Sequence, residues 1–382
     1  MTRYIYRKRR LRLAAALFDI IGGGVYRLLG LFRRNPDCAL ESLPDAPKIA
    51  LVRLDGIGDI LAALPAARAL KERFPDGVLA LVVRKQVAEL IANIPFVDDV
   101  LAIDCSPYAP RTPIIQSIRL IMRLNKMLKA RDFDVAIDPR GDPRVIWAMC
   151  HARIPIRIGA SSAGGGFLLS AAVEYRRDVR EAEHNLKVAA VLGAEPRVRS
   201  VKLCPEPALV EALLNEHPGL RNPFFVVHPG ASMPTKTWPS DRFAGVIDAI
   251  AERHGLLPVI VGGEDALTCA ETIAHSCQST LVNLAGRTDL RELVALLSRA
   301  KLFLGNDSGP AQIAARVGIP TVIVFSGTND VSVWRPAGEN VAVLSYAVDC
   351  SPCELRFCPS LKCLLGISVE EVVAAAERLL TT

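Results

Sequence analysis

The chain has 382 residues, 51% of them hydrophobic, 5% aromatic and 23% charged. That length favours two domains, and an aliphatic-rich, aromatic-poor composition fits α/β cores. The net charge of +6 averages two unlike parts: residues 1–34 hold nine Lys/Arg against Asp19 alone, or +8, so the rest carries 6 − 8 = −2, and nothing in the main body suggests a nucleic-acid surface.

The basic leader comes first. Leu13 to Phe32 is apolar, but Asp19, Arg27 and Gly22-Gly23-Gly24 interrupt it, which argues against a spanning helix. No small-residue cleavage site follows, so it does not read as a signal peptide. Cations interleaved with Leu, Ile, Phe and Tyr suit an interfacial helix on an anionic membrane surface, with residues 1–34 as the contact; a frayed or wrongly started N-terminus is the other reading.

After the Pro-punctuated linker Pro36 to Pro47, the first domain is expected over 48–204. Lys48 to Asp55 reads as a buried strand, Gly56-Ile57-Gly58-Asp59 as a turn and Ile60 to Phe74 as a helix in which Pro65 is tolerable only as a kink or early-turn residue. Further strands are expected at Val78–Val83, Val100–Asp104, Phe133–Asp138 and Ile156–Gly159, with helices at Gln86–Ile94, Pro113–Lys129, Arg144–His151 and Glu183–Leu192. Gly164-Gly165-Gly166 looks like a mobile loop, and the prolines of 205–223 like a linker.

A second domain, 224–367, repeats the grammar: strand Phe224–His228, helix Asp241–His254, strand Leu257–Val261, helix Ala266–His275, strand Leu281–Ala285 and helix Leu290–Ala300. These lead into Leu302 to Thr328, which reads as strand, tight loop, helix, strand. In such a unit the helix's first free N–H groups favour a phosphate; Ser308 adds a hydroxyl donor and Gly309 a close approach to backbone. Asp307 would repel a phosphate and suits sugar hydroxyls better. A helix-capping Asp-Ser with no ligand is the alternative. Strands alternating with helices predict parallel sheets, two such domains placing their strand-end loops across a common cleft.

RLDGIGDILAALPAARAL, HPGASMPTKTWP, VIVGGEDA, NLAGRTDLRELVALLSRAKLFLGNDSGP and GIPTVIVFSGT, in that order, resemble glycosyltransferase family 9, the ADP-heptose:lipopolysaccharide heptosyltransferases. The resemblance runs from about Lys48 to the end and implies the GT-B fold, two Rossmann-like parallel-sheet domains facing a central cleft. It implies a metal-independent inverting transferase, cytoplasmic and peripheral on the inner membrane, moving a heptose or related sugar from an ADP-heptose-type donor to a lipid A-core acceptor.

The resemblance makes Asp59 the base that takes the acceptor's proton, on a loop with Gly56 and Gly58; capping of the helix is the structural alternative. GIGD lacks the full dinucleotide fingerprint. Lys236 matches the family's phosphate-contacting lysine, with Trp238 beside it and Thr235, Ser308 and Gly309 as further phosphate groups. Asp307 is expected near the donor sugar, Glu264 on the ribose with Asp265 competing, and Leu284, Ala285 and Gly286 along the nucleobase. Gln312 stands where the family usually carries a Met-His or similar pair; it can donate a hydrogen bond but carries no charge, which keeps open a catalytically silent nucleotide-sugar-binding or scaffold protein. A GT-B sugar epimerase is a rival that would turn over without acceptor.

Cys350, Cys353, Cys358 and Cys363 form C-x2-C-x4-C-x4-C. That density is compatible with structural zinc or an iron–sulfur cluster, with reduced thiols, or with disulfides. The other six cysteines are scattered, as in a reducing compartment. Ser368-Val369-Glu370-Glu371 opens a final amphipathic helix over 368–382 of the kind that in GT-B proteins often crosses back to the first domain.

Overall fold

The computed structural model describes residues 9–28, 43–104 and 114–381. The chain forms two compact units, Met1–Arg199 and Ser200–Thr382. In the first, helix α1 (Arg9–Leu28) precedes strand β1 (Lys48–Arg53), α2 (Ile57–Arg73), β2 (Val78–Arg84), α3 (Lys85–Ile91), β3 (Asp99–Ile103), α4 (Ile114–Lys129), β4 (Val135–Asp138), α5 (Pro143–His151), β5 (Ile156–Ala160), β6 (Ala171–Val173) and α6 (Glu181–Ala190). The second runs α7 (Pro207–Glu216), β7 (Phe224–His228), α8 (Ser240–His254), β8 (Leu257–Ile260), α9 (Leu267–Ser276), β9 (Val282–Asn283), α10 (Leu290–Leu297), β10 (Phe303–Asn306), α11 (Gly309–Val317), β11 (Thr321–Phe325), α12 (Val331–Trp334), β12 (Val341–Ser345), α13 (Lys362–Leu365) and α14 (Val369–Leu380).

Each unit holds a six-stranded parallel sheet, ordered β3-β2-β1-β4-β5-β6 and β12-β11-β10-β7-β8-β9. Renumbered within its own unit, the second order is the first read backwards, so both are Rossmann sheets. Central strands such as β1, β4, β7, β10 and β11 are almost wholly buried, as sheets covered on both faces require. The direction of winding reverses between the first and fourth strands of each unit, at β1/β4 and β7/β10. Ligands bind at such switch points, outside the carboxyl ends of the strands.

Several expectations shift. The turn predicted at 56–59 is the first turn of α2, with Gly56 as the extended N-cap and Pro65 buried inside the helix. The 205–223 linker contains α7 and a 3-10 helix, Pro218–Arg221, and α7 packs on α10. The final helix has the expected capping box between Ser368 and Glu371, but it packs on α8 and β11 of its own unit. Strand β6 was not foreseen; its Ala-Ala-Val carries too short an apolar run to stand out.

The leader's described part, α1, docks on the first unit. Its Asp19 carboxylate accepts from the Gly165 N–H at 2.6 Å, and Phe18 and Tyr26 meet the Phe167 ring at 5.6 and 6.1 Å between centroids. The Gly164–Gly166 stretch read as a mobile loop leads into a 3-10 helix, Gly166–Leu168, which receives α1. Gly22 permits the contact, because a Cβ there would overlap the Phe167 ring. No helix of the described residues is long and apolar enough to cross a membrane. Residues 1–8 and 29–34 of the expected membrane contact lie outside the described residues.

Candidate functional site

In the first unit the switch point gathers charge around one buried guanidinium. Arg53, last residue of β1, grips Asp55 with two bonds, Nε to Oδ1 at 3.0 Å and Nη2 to Oδ2 at 2.9 Å. Nη2 also reaches Asp59 Oδ1 at 3.2 Å, while Nη1 donates to Glu181 Oε1 at 2.9 Å and Asn185 Oδ1 at 3.1 Å from α6. Arg140 adds a second cation, donating to Asp55 Oδ2 at 3.0 Å, and Tyr175 donates to Glu181 Oε2 at 3.2 Å. Three carboxylates thus share two guanidinium groups, so one negative charge is not matched.

That imbalance falls on Asp59. Its other oxygen, Oδ2, accepts from the Gly56 N–H at 2.9 Å, so the same carboxylate caps α2 and faces Arg53. Burial, and after it the neighbouring Asp55 carboxylate, push its pKa up to about 7 against the opposing pull of Arg53. A carboxylate poised there exchanges a proton at neutral pH, as a general base should. Gly58 lies in the same helical turn. Asp138, at the end of β4, is also pushed to about 7, by burial and then by Asp142.

In the second unit Lys236, Asp307 and Ser308 converge at the β7/β10 switch point. Lys236 comes from a 3-10 helix, Pro234–Lys236, and its Nζ donates to Asp307 Oδ2 at 2.6 Å; Asn329 donates to the same oxygen at 2.9 Å. Ser308 is the N-cap residue of α11 yet makes no capping bond. Its Oγ lies 3.2 Å from Nδ1 of His228, the last residue of β7. Burial pushes His228 down to about 4, so it is neutral at pH 7. Asp265, 4.0 Å from Nε2, favours the proton on that nitrogen and leaves Nδ1 to accept from Ser308. Gly309 opens α11, whose first-turn N–H groups suit an anion.

Other predicted residues are placed differently. Trp238 is 0% exposed, edge-on to Phe243, with Nε1 donating to the Leu364 carbonyl at 3.2 Å. It anchors the Lys236 loop and has no surface to offer a ligand. Gln312 spends its amide on the Trp334 carbonyl at 3.0 Å and on Arg316, which donates to Oε1 at 3.2 Å. That correction makes Gln312 a brace between α11 and α12. The Thr235 hydroxyl donates to the Leu355 carbonyl at 2.6 Å. Glu264 and Asp265 are exposed beyond β8, while Leu284 and Ala285 are buried beyond β9 and Gly286 follows with φ of +73°.

Cys350, Cys353, Cys358 and Cys363 are free thiols, and among the described residues no three His, Cys, Asp or Glu side chains gather as metal ligands.

Arg53, Asp55, Glu181, Asn185, Arg140, His228, Asn306 and Asn329 were not singled out from the sequence. Asn306 is the strut of the second unit: its Oδ1 accepts from the Trp238 N–H at 3.0 Å and its Nδ2 donates to the Pro229 carbonyl at 2.7 Å. Arg53 did leave a signal, a charge directly after the apolar run Ile49–Val52.

Comparison with known proteins adds an independent line. A family model described as glycosyltransferase family 9 (heptosyltransferase) matches residues 121–364. Lipopolysaccharide heptosyltransferase 3 of Escherichia coli K12 is 28% identical over 338 residues, covering 85% of this chain and 95% of that one. Among solved structures, E. coli ADP-heptose LPS heptosyltransferase II superposes with a TM-score of 0.73 at 19% identity, over 87% of this chain and 98% of that chain. A family 9 glycosyltransferase from Veillonella parvula gives 0.75 at 20% identity, over 88% and 99%. These likenesses agree with the two Rossmann sheets.

Proposed function

This chain belongs to glycosyltransferase family 9, the heptosyltransferases, and from that premise we propose that it transfers a heptose from an ADP-heptose-type donor to the lipopolysaccharide inner core with inversion at the anomeric carbon. The observation that carries the mechanism is Asp59, a carboxylate fixed at one oxygen by Gly56 and at the other by Arg53, and holding its proton until about pH 7. The names of the E. coli relatives supply the sugar and the acceptor class.

In this reaction Asp59 takes the proton of an acceptor hydroxyl as that oxygen attacks the anomeric carbon. The new C–O bond forms on the face opposite the departing diphosphate, and the electron pair of the broken bond goes to the β-phosphate oxygen. Lys236, the first-turn N–H groups of α11 and, on rotating away from His228 Nδ1, the Ser308 hydroxyl are the groups of the second unit suited to that growing charge. Such fixed donors stabilise a departing diphosphate without a metal ion, so turnover should persist in chelator. Asp307 orients Lys236 and can accept from a sugar hydroxyl.

The silent-scaffold alternative drew on Gln312 lacking charge. That amide has a structural use of its own, bracing α11 to α12, so its lack of charge does not by itself argue for a silent protein. The same reading puts the protein on the cytoplasmic face of the inner membrane, held there by the basic leader.

The test is the mass of the core oligosaccharide from cells with and without this protein. A deficit of one heptose, restored by the wild-type chain and not by Asp59→Ala, supports the reading; an unchanged core mass sinks it. Turnover of donor to a free epimeric product without acceptor would point to the epimerase instead.

A further inference from the structure

Helix α1 has two apolar faces, and only one is covered by other described residues. Ala15, Asp19, Gly22 and Tyr26 turn toward Gly164–Leu168. Leu13, Leu17, Ile20, Ile21 and Leu28 follow helical spacing on the other side and are 56–88% exposed. A comparable stripe runs along α4, where Ile115, Ile118 and Met122 are exposed and lead to Lys129.

A groove of about 670 Å³ lies between α1 and α5, with Lys129 at the end of α4 on its edge. Phe18, Val25 and Tyr26 of α1 form one wall, Trp147 and Phe167 the other. Trp147 is 45% exposed and lies flat on His151, with ring centroids 4.9 Å apart. Lys129, His151 and Arg153 also line the groove, and neither Lys129 nor Arg153 has an ion-pair partner among the described residues. The volume lies within the roughly 300–1,000 Å³ of small-ligand sites.

Charge selects the occupant. Helices α1, α4 and α5 contain one acidic residue between them, Asp19, whose carboxylate is bonded to the Gly165 N–H. Against it stand exposed Arg9, Arg10, Arg119, Arg123, Lys126 and Lys129. An apolar slot opening between cations matches a molecule with an acyl chain below a phosphate.

We propose that the groove between α1 and α5 is a phospholipid site, which draws one acyl chain of an anionic bilayer lipid between Phe18, Trp147 and Phe167 and holds its phosphate at Lys129 and Arg153. The outer face of α1 lies in the same interface. This deepens the reading of the leader as a membrane contact: the helix and the body of the first unit form one lipid-binding surface. It does not depend on the identity of the transferred sugar.

The experiment uses the full chain and vesicles of phosphatidylglycerol and phosphatidylcholine in equal parts, with phosphatidylcholine alone as the comparison. Brominated acyl chains in the mixed vesicles should quench Trp147, with the quenching lost in Trp147→Phe. Lys129→Gln with Arg153→Gln should weaken binding by about 25-fold, at roughly fivefold per charge, and remove the quenching. Circular dichroism confirms that this double variant is folded, and transfer to a deacylated, water-soluble acceptor should be unchanged in it. Binding to mixed vesicles without Trp147 quenching would overturn the groove while leaving the leader's surface contact standing. Undiminished binding and quenching in the double variant would overturn the phosphate assignment. Absence of any vesicle binding would remove both, and would leave the transferase reading untouched.

Discussion

Lys236 Nζ sits 2.6 Å from Asp307 Oδ2 in the second unit, each side chain only 10% exposed, with Asn329 on the same carboxylate oxygen at 2.9 Å. A buried ion pair of this kind adds little to stability as a pair but is costly to break from one side. Lys236→Met should cost toward the lower end of about 3–5 kcal/mol, because Asn329 still donates to the stranded carboxylate. It should also lower kcat by about 10²- to 10³-fold, the usual loss for one preorganised donor. Adding Asp307→Asn should recover most of the stability and none of the rate. Urea midpoints and ADP release measured on the same three proteins check both halves; recovery of activity in the double variant would show that the lysine does not serve the leaving group.

Asp59 makes activity and stability depend on pH in opposite directions. Its folded-state pKa is raised to about 7 from an ordinary 3.8, so folding favours the protonated form. This group's contribution to stability is fully present below about pH 4 and is lost as pH rises through about 7. Catalysis by the carboxylate is gained over the upper part of that range. The acid limb of kcat/KM is therefore expected near pH 7. Asp55→Asn removes a neighbouring charge and frees Arg53 to pair more closely with Asp59, so the limb should move to lower pH. A limb unmoved by Asp55→Asn would assign it to another group.

Arg53 holds that arrangement together. It is 2% exposed and touches Asp55, Asp59, Glu181 and Asn185. Arg53→Met leaves largely buried carboxylates facing one another with only the half-exposed Arg140 beside them, and a loss of about 3–5 kcal/mol is expected. Arg53→Lys keeps the charge but not the planar fork, so it should fold and still lose activity. Glu181→Gln keeps a hydrogen-bond acceptor for Arg53 and removes one negative charge, which should lower the Asp59 pKa with a smaller stability loss. Thermal unfolding and the pH–rate profile separate the three.

The parallel-sheet architecture was legible because the buried strands are largely continuous aliphatic runs and most, though not β2, end in a loop rich in Gly, Asp or Asn. Of the central residues of the candidate site, one could be named for a related reason. Ser308 stands between a strand end and a helix start, where local sequence dictates geometry, whereas Asp59 and Lys236 were named through the family resemblance. Glu181 and Asn185 could not be found that way, since α6 reaches Arg53 only after more than a hundred intervening residues have folded back on it. Trp238 misled in the opposite direction: two residues after Lys236 in sequence, it is buried against Phe243 and the Leu364 carbonyl, long-range partners that the local pattern does not reveal. Gln312 failed similarly, for its partners Arg316 and Trp334 belong to the packing of α11 and α12.

Gly22 offers a test of whether α1 belongs to the folded body of the first unit. A Cβ at this position would run into the Phe167 ring, and at Gly23 it would stand 3.5 Å from Phe167 Cβ in ordinary contact. Gly22→Val should therefore lift α1 from the Gly164–Leu168 segment and break the bond from the Gly165 N–H to Asp19. The helix itself should not suffer, because valine forms helix better than glycine by a few tenths of a kcal/mol. Loss of docking would appear as faster proteolytic cleavage between α1 and β1 and as a shifted Trp147 emission, with the main unfolding transition little changed. Phe167→Ala removes the obstructing ring, so adding it to Gly22→Val should slow the cleavage again. Equal cleavage of Gly22→Val and the wild-type chain would mean that α1 does not rest on Phe167 in solution.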